Sequence, residues 1–86
     1  MEAVELFLRN KLKSPNTERI IKLALKINAK SKKNITEAEI INIAESEMKD
    51  SYKNPKGPME DIKALEKSGF LKKELTIPKI YGIKIR

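Results

Sequence analysis

The 86-residue sequence predicts a mainly α-helical chain closed by a small β-hairpin, an α+β fold in a single domain spanning residues 1–86. Three observations carry this expectation. Apolar residues recur at helical spacing in successive stretches as far as Leu65. Thr36 and Glu39 form the S/T-x-x-E signature of a helix start. Beyond Gly69 the apolar period shortens to two, the period of a strand. A chain of this length builds one small core, burying roughly 60% of the surface its unfolded form exposes, and has no room for a deep substrate pocket.

Val4, Phe7, Leu8 and Leu12 make residues 2 to 12 an amphipathic helix, with Glu2, Glu5, Arg9 and Lys13 on its polar side. This N-terminal element, residues 2–13, ends at "KSPN". There Ser14 can cap a second helix and Pro15 can occupy its first turn. Ile20, Leu23, Ala24 and Ile27, flanked by Ile21 and Leu25, form a broad stripe, which puts the second helix at the centre of the core. It ends in "NAKSKKN", where Lys30, Lys32 and Lys33 sit at the negative end of the helix dipole.

The third helix starts at Thr36, with Ile35 and Ile40 at the two positions of a hydrophobic staple, and points Ile40, Ile41, Ala44 and Met48 inward. "KDSYKNPKG" is a solvated connection. A fourth helix opens with Pro58, carries Glu60 and Asp61 in its first turn to complement the dipole, and directs Ile62 and Leu65 inward. Gly69 is placed to end it in the left-handed conformation, so that Phe70 meets Leu65 in a Schellman stop. The chain then reverses as a hairpin with its tip in "IPKIYG". Leu71, Leu75 and Ile77 share one face, Tyr81, Ile83 and Ile85 the other strand's equivalent, and pairing Leu75 with Ile83 sets Glu74 opposite Lys84.

Composition excludes much chemistry. With no Cys and no His, the chain lacks disulfides, zinc-ribbon ligands and the commonest general base, and a reducing, cytoplasmic location is expected. No apolar run approaches the roughly 20 residues of a membrane span, and the acidic start "MEAVE" does not read as a signal peptide. Gly57, Gly69 and Gly82 are the only glycines, too few and too scattered for a phosphate-cradling loop. Glu45 and Glu47 read as solvated charges without a pocket to shift them. No enzyme activity, cofactor, metal or small-molecule ligand is therefore expected.

The net charge of +7 is uneven: residues 1–48 carry 9 Lys/Arg against 7 Asp/Glu, residues 49–86 carry 10 against 5. A thermophile or an AT-rich coding sequence accounts equally well for abundant lysine, though not for its asymmetry.

The order helix, short extended piece at Ile35, helix, turn, helix, hairpin over residues 14–86 resembles the winged-helix subclass of helix-turn-helix domains, with an extra N-terminal helix. The resemblance is carried by "ITEAEIINIAE", by "MEDIKALEKSGFLKKE" in the recognition-helix position and by "LTIPKIYGIKI" as the wing. It implies a protein that binds double-stranded DNA, with the fourth helix in the major groove and the wing on adjacent phosphates or in the minor groove. The contacts it implies come from Lys53, Lys56, Met59, Lys63, Ala64 and Lys67 on and before that helix, and from Lys72, Lys73 and Lys79 of the wing. The helix face offers no Arg, Asn or Gln for bidentate base contacts, which points to shape and backbone recognition. Ile77, Ile80 and Tyr81 either close the core or make an apolar contact with DNA sugars or a second chain. Resemblance and composition together imply a transcriptional regulator of archaeal, viral or plasmid type. The alternative is a winged helix serving as a protein-protein module in a replication or transcription assembly. Val4, Phe7, Leu8 and Leu12 need a partner surface, and a homodimer through the N-terminal helix is expected to supply it.

Overall fold

The computed structural model describes residues 3–31 and 33–84; Glu2, Lys32 and Ile85 of the expectations above lie outside them. In chain order the elements are α1 (Ala3–Lys11), α2 (Thr17–Lys30), β1 (Asn34–Thr36), α3 (Glu37–Glu47), α4 (Gly57–Ser68), β2 (Leu71–Thr76) and β3 (Lys79–Ile83). The described residues thus form four helices and a three-stranded antiparallel sheet in the order β1-β3-β2, with α3 and α4 packed against the strands.

The helix starts follow local chemistry. At α3 the capping box is complete: the Glu39 N–H donates to Thr36 Oγ1 at 3.1 Å and the Thr36 N–H to Glu39 Oε1 at 3.0 Å. Ile35 and Ile40 of the staple are both buried. Ile43 is fully buried where Ile41 was expected, and Ile41 packs half-buried at the core's edge. At α2 the cap differs from expectation. Asn16 stands at the N-cap without a side-chain bond, and Pro15 lies in the turn ahead of the helix. The Ser14 hydroxyl accepts from the Asn16 N–H at 3.0 Å and its carbonyl from Thr17 Oγ1 at 2.7 Å. Both Ser14 oxygens are therefore used to close the turn. Ile20, Ile21, Leu23, Ala24 and Ile27 are all buried, as the broad stripe of α2 requires.

The end of α4 is a variation on the expected stop. Gly69 has φ 93° and ψ −1°, the left-handed region, and its N–H donates to Glu66 O at 3.1 Å. The Phe70 N–H does not reach the Leu65 carbonyl. Instead the Ser68 hydroxyl donates to Leu65 O at 2.8 Å and accepts from the Phe70 N–H at 3.3 Å, relaying the bond of a Schellman motif through a side chain. Leu65 and Phe70 are both fully buried.

The strand pairing corrects the expected register. Leu71, not Leu75, opposes Ile83, while Leu75 opposes Ile80 and Thr76 opposes Lys79 around a two-residue turn at Ile77–Pro78. That turn alone would continue to oppose Lys72 to Ile83 and carry a lysine onto the core face. A bulge between Lys73 and Leu75 absorbs one residue and restores Leu71 to the core. Leu75 is consequently 52% and Ile77 90% exposed, whereas Leu71, Tyr81 and Ile83 are buried. The Glu74–Lys84 ion pair forms despite the shifted register, at 4.0 Å, because Glu74 lies across Gly82, where a Cβ would strike its carboxylate. The third strand, β1, was expected only as an extended piece. Its residues pair Ile35 with Tyr81 and so join α3 to the hairpin.

Candidate nucleic-acid interface

Helix α4 is aimed by one buried polar cluster. Asp61, expected at a dipole-facing position in the first turn, is 1% exposed. It accepts from Arg19 Nε at 2.7 Å and Arg19 Nη2 at 2.9 Å, a bidentate fork from α2, and from the Tyr52 hydroxyl at 2.5 Å. The Arg19 guanidinium also lies 4.7 Å from the centre of the Tyr52 ring. Burial, and then the bond to Asp61, raises the Tyr52 phenol above its ordinary pKa, and the same carboxylate raises Arg19, so both stay protonated donors. A Cβ on Gly57 would come within 3.0 Å of the Tyr52 ring, so the glycine lets the ring lie against the start of α4. Spacing held a signal for this cluster: Pro58, Asp61, Ile62 and Leu65 form one buried stripe at i, i+3, i+4 and i+7.

With that stripe inward, Lys63 and Lys67 stand exposed one turn apart on the opposite face, and Lys53 and Lys56 are exposed in the segment ahead of the helix. A turn in which the Lys56 N–H donates to Asn54 Oδ1 at 2.8 Å orders that segment. Met59 and Ala64 are half-buried against the core, so the expected contact face contains less of them than its sequence position suggests. Lys72 and Lys73 are exposed on β2. Lys79 is set apart: it is half-buried, with its ammonium 3.5 Å from Glu37 at the start of α3. This contact is an ion pair without hydrogen-bond geometry, since Glu37 Oε2 has no hydrogen-bond partner.

Among the described residues, Arg9, Arg19, Lys26, Lys30, Lys79 and Lys84 have a carboxylate within 4.0 Å. Eleven described lysines have none: Lys53, Lys56, Lys63, Lys67, Lys72 and Lys73 lie on α4 or the segments flanking it, and Lys11, Lys13, Lys22, Lys33 and Lys49 lie elsewhere. Glu60 is an exposed acid on α4, one turn from both Lys56 and Lys63. No group of three or more His, Cys, Asp or Glu side chains able to hold a metal occurs among the described residues, and no described helix is long and apolar enough to cross a membrane.

The need for a partner surface that motivates a dimer through α1 is met within the chain. Val4 and Leu8 are buried in its own core, and Phe7 and Leu12 pack half-buried against that core. Phe7 reaches Gly69, its Cζ 3.9 Å from where a Cβ would stand, so α1 covers the junction between α4 and β2. Of the aromatic and aliphatic residues left open at the hairpin, Tyr81 is in the core, Ile80 is half-buried and Ile77 is free.

Comparison with protein-family models, with characterised proteins and with solved structures finds no match to this chain.

Proposed function

We propose that the protein is a winged-helix domain that binds double-stranded DNA through its backbone phosphates, with α4 in the major groove and the β2–β3 hairpin as the wing. The observation that carries this reading is the cluster of unpaired positive charge along α4 and its flanks. Six of the eleven described lysines without an acidic partner lie on α4 and its flanks, gathered along one helix and the segments on either side of it. Lysine ammonium groups need no fixed geometry to neutralise phosphates, and each phosphate neutralised releases counterions. The rigid Arg19–Asp61–Tyr52 cluster supports the reading, because a helix that enters a groove must hold its angle. With no Arg, Asn or Gln on the outer face of α4, discrimination among sequences comes from DNA shape rather than base edges.

A second reading, docking to another protein, is favoured by one observation: Leu75 and Ile77 expose apolar surface at the hairpin tip, 52% and 90%. Affinity for a labelled duplex across a salt series separates the two. Lys63→Gln with Lys67→Gln and the control Lys22→Gln with Lys49→Gln remove the same charge, so long-range attraction falls equally. Local phosphate contact predicts that K63Q/K67Q weakens binding about tenfold more than the control and lowers the log–log salt slope by roughly 2 in magnitude. Equal losses would reduce the attraction to bulk charge and leave protein docking as the better reading.

A further inference from the structure

Two surface cavities of similar size among the described residues differ in electrostatic character. One, of about 460 Å³, lies by the C-terminal end of α3, where Lys22 and Lys49 share the lining with Glu47 and Asp50. The other, of about 420 Å³, is a groove between the end of α1 and the C-terminal half of α4. It is lined by Lys11, Leu12 and Lys13 on one side and by Ala64 and Lys67 on the other, with no carboxylate in its lining. The acids of α1 and the start of α2 are engaged elsewhere: Glu5 and Glu18 both hold Arg9, at 2.9 and 2.6 Å. The groove therefore concentrates three uncompensated positive charges of a chain whose total is +7.

Two of its donors are held in place. Lys11 has its ammonium 5.7 Å from the centre of the Phe7 ring, which is itself packed at Gly69. Ser14, also at the groove, uses its hydroxyl oxygen to accept from the Asn16 N–H, which leaves the hydroxyl proton free to donate outward. Lys67 belongs both to this groove and to the outer face of α4, one turn beyond Lys63, so the two positive surfaces are continuous.

We propose that the groove is a phosphodiester clamp: α1, joined to α4 through Lys67, takes the backbone of the same duplex beside the segment that α4 enters, with Lys11 and Lys13 each neutralising a phosphate. The inference rests on the duplex-binding reading and gives α1 a role that its burial of Val4 and Leu8 leaves open on its other side. Continuity with α4 selects the backbone of the bound duplex over a free anion.

The test uses the full chain and a labelled duplex. Lys11→Gln with Lys13→Gln should weaken binding about tenfold more than K22Q/K49Q and lower the salt slope by roughly 2, while Lys11→Arg with Lys13→Arg stays within about twofold of wild type. Far-UV circular dichroism should be unchanged, since Lys11 and Lys13 are exposed. If K11Q/K13Q matches K22Q/K49Q while K63Q/K67Q does not, the clamp is refuted and the duplex-binding reading stands. If all three variants match, both fall. Loss in K11Q/K13Q with K63Q/K67Q at the control level would overturn both the entry of α4 and a clamp continuous with it through Lys67. Inorganic phosphate at matched ionic strength should not compete; competition that disappears in K11Q/K13Q would reveal a free-anion site and refute the clamp.

Discussion

Replacing Asp61 with Ala tests whether the polar cluster beneath α4 carries the fold's orientation. The carboxylate is 1% exposed and takes three donors, so its removal leaves the Arg19 guanidinium and the Tyr52 hydroxyl unpaired at once. Breaking a buried ion pair by deleting one partner costs about 3–5 kcal/mol. The Arg19 side chain is 20% exposed and can regain some water, which lowers the figure towards about 3 kcal/mol. A small domain is stable by only about 5–15 kcal/mol, so this is a large fraction, and it corresponds to a fall in Tm of roughly 12–24 °C. Urea denaturation followed by circular dichroism at 25 °C reads it directly, the m value serving as a check that unfolding stays two-state. Arg19→Met with Asp61→Leu should be markedly more stable than Asp61→Ala alone, because no charge is then left buried. A loss for Asp61→Ala within about 0.5 kcal/mol of wild type, the scatter of surface substitutions, would refute the account of the cluster.

Two further outcomes follow from the helix ends. Gly69→Ala has van der Waals room, with Phe7 Cζ at 3.9 Å, so its expected loss of about 1 kcal/mol in thermal unfolding isolates the left-handed backbone, and unchanged stability would contradict the φ of 93°. Glu39 is held below its ordinary 4.5, first by the Thr36 N–H and then by the Thr36 hydroxyl. A depressed folded pKa means that its stabilisation is fully present above 4.5 and is lost as pH falls through the folded value. The stability difference between wild type and Glu39→Gln should therefore shrink as pH falls below 4.5, and a difference independent of pH would show that the carboxylate's charge contributes nothing.

The helices were legible where a local rule acts within a few residues. Thr36 and Glu39 satisfy each other, and Gly69 accepts a conformation other residues resist, so these boundaries need no tertiary information. The strands were less so. Alternation identified both, but their register depends on the tight turn at Ile77–Pro78 and on the bulge before Leu75, and apolar identity alone could not choose Leu71 over Leu75 as the partner of Ile83. Of the site, the lysines of α4 and β2 were visible as exposed charges. That Lys79 is bound by Glu37, and that Lys11 and Lys13 come alongside Lys67, was not, because those partners are 42 or more residues apart in the chain.

The sequence by itself determined the number and kind of helices, the stop at Gly69, the absence of thiol and imidazole side chains, and the excess of positive charge in the C-terminal half. Periodicity, capping and composition act locally or as sums, and both can be read without a fold. The tertiary structure alone decided which carboxylate is buried and which lysines remain unpaired. Asp61 and Glu60 are neighbours of the same charge in the same turn, yet one is sealed by Arg19 and Tyr52 and the other faces water. That difference comes from which elements pack against α4, and the electrostatic value of a side chain is set by the solvent and partners that packing leaves it.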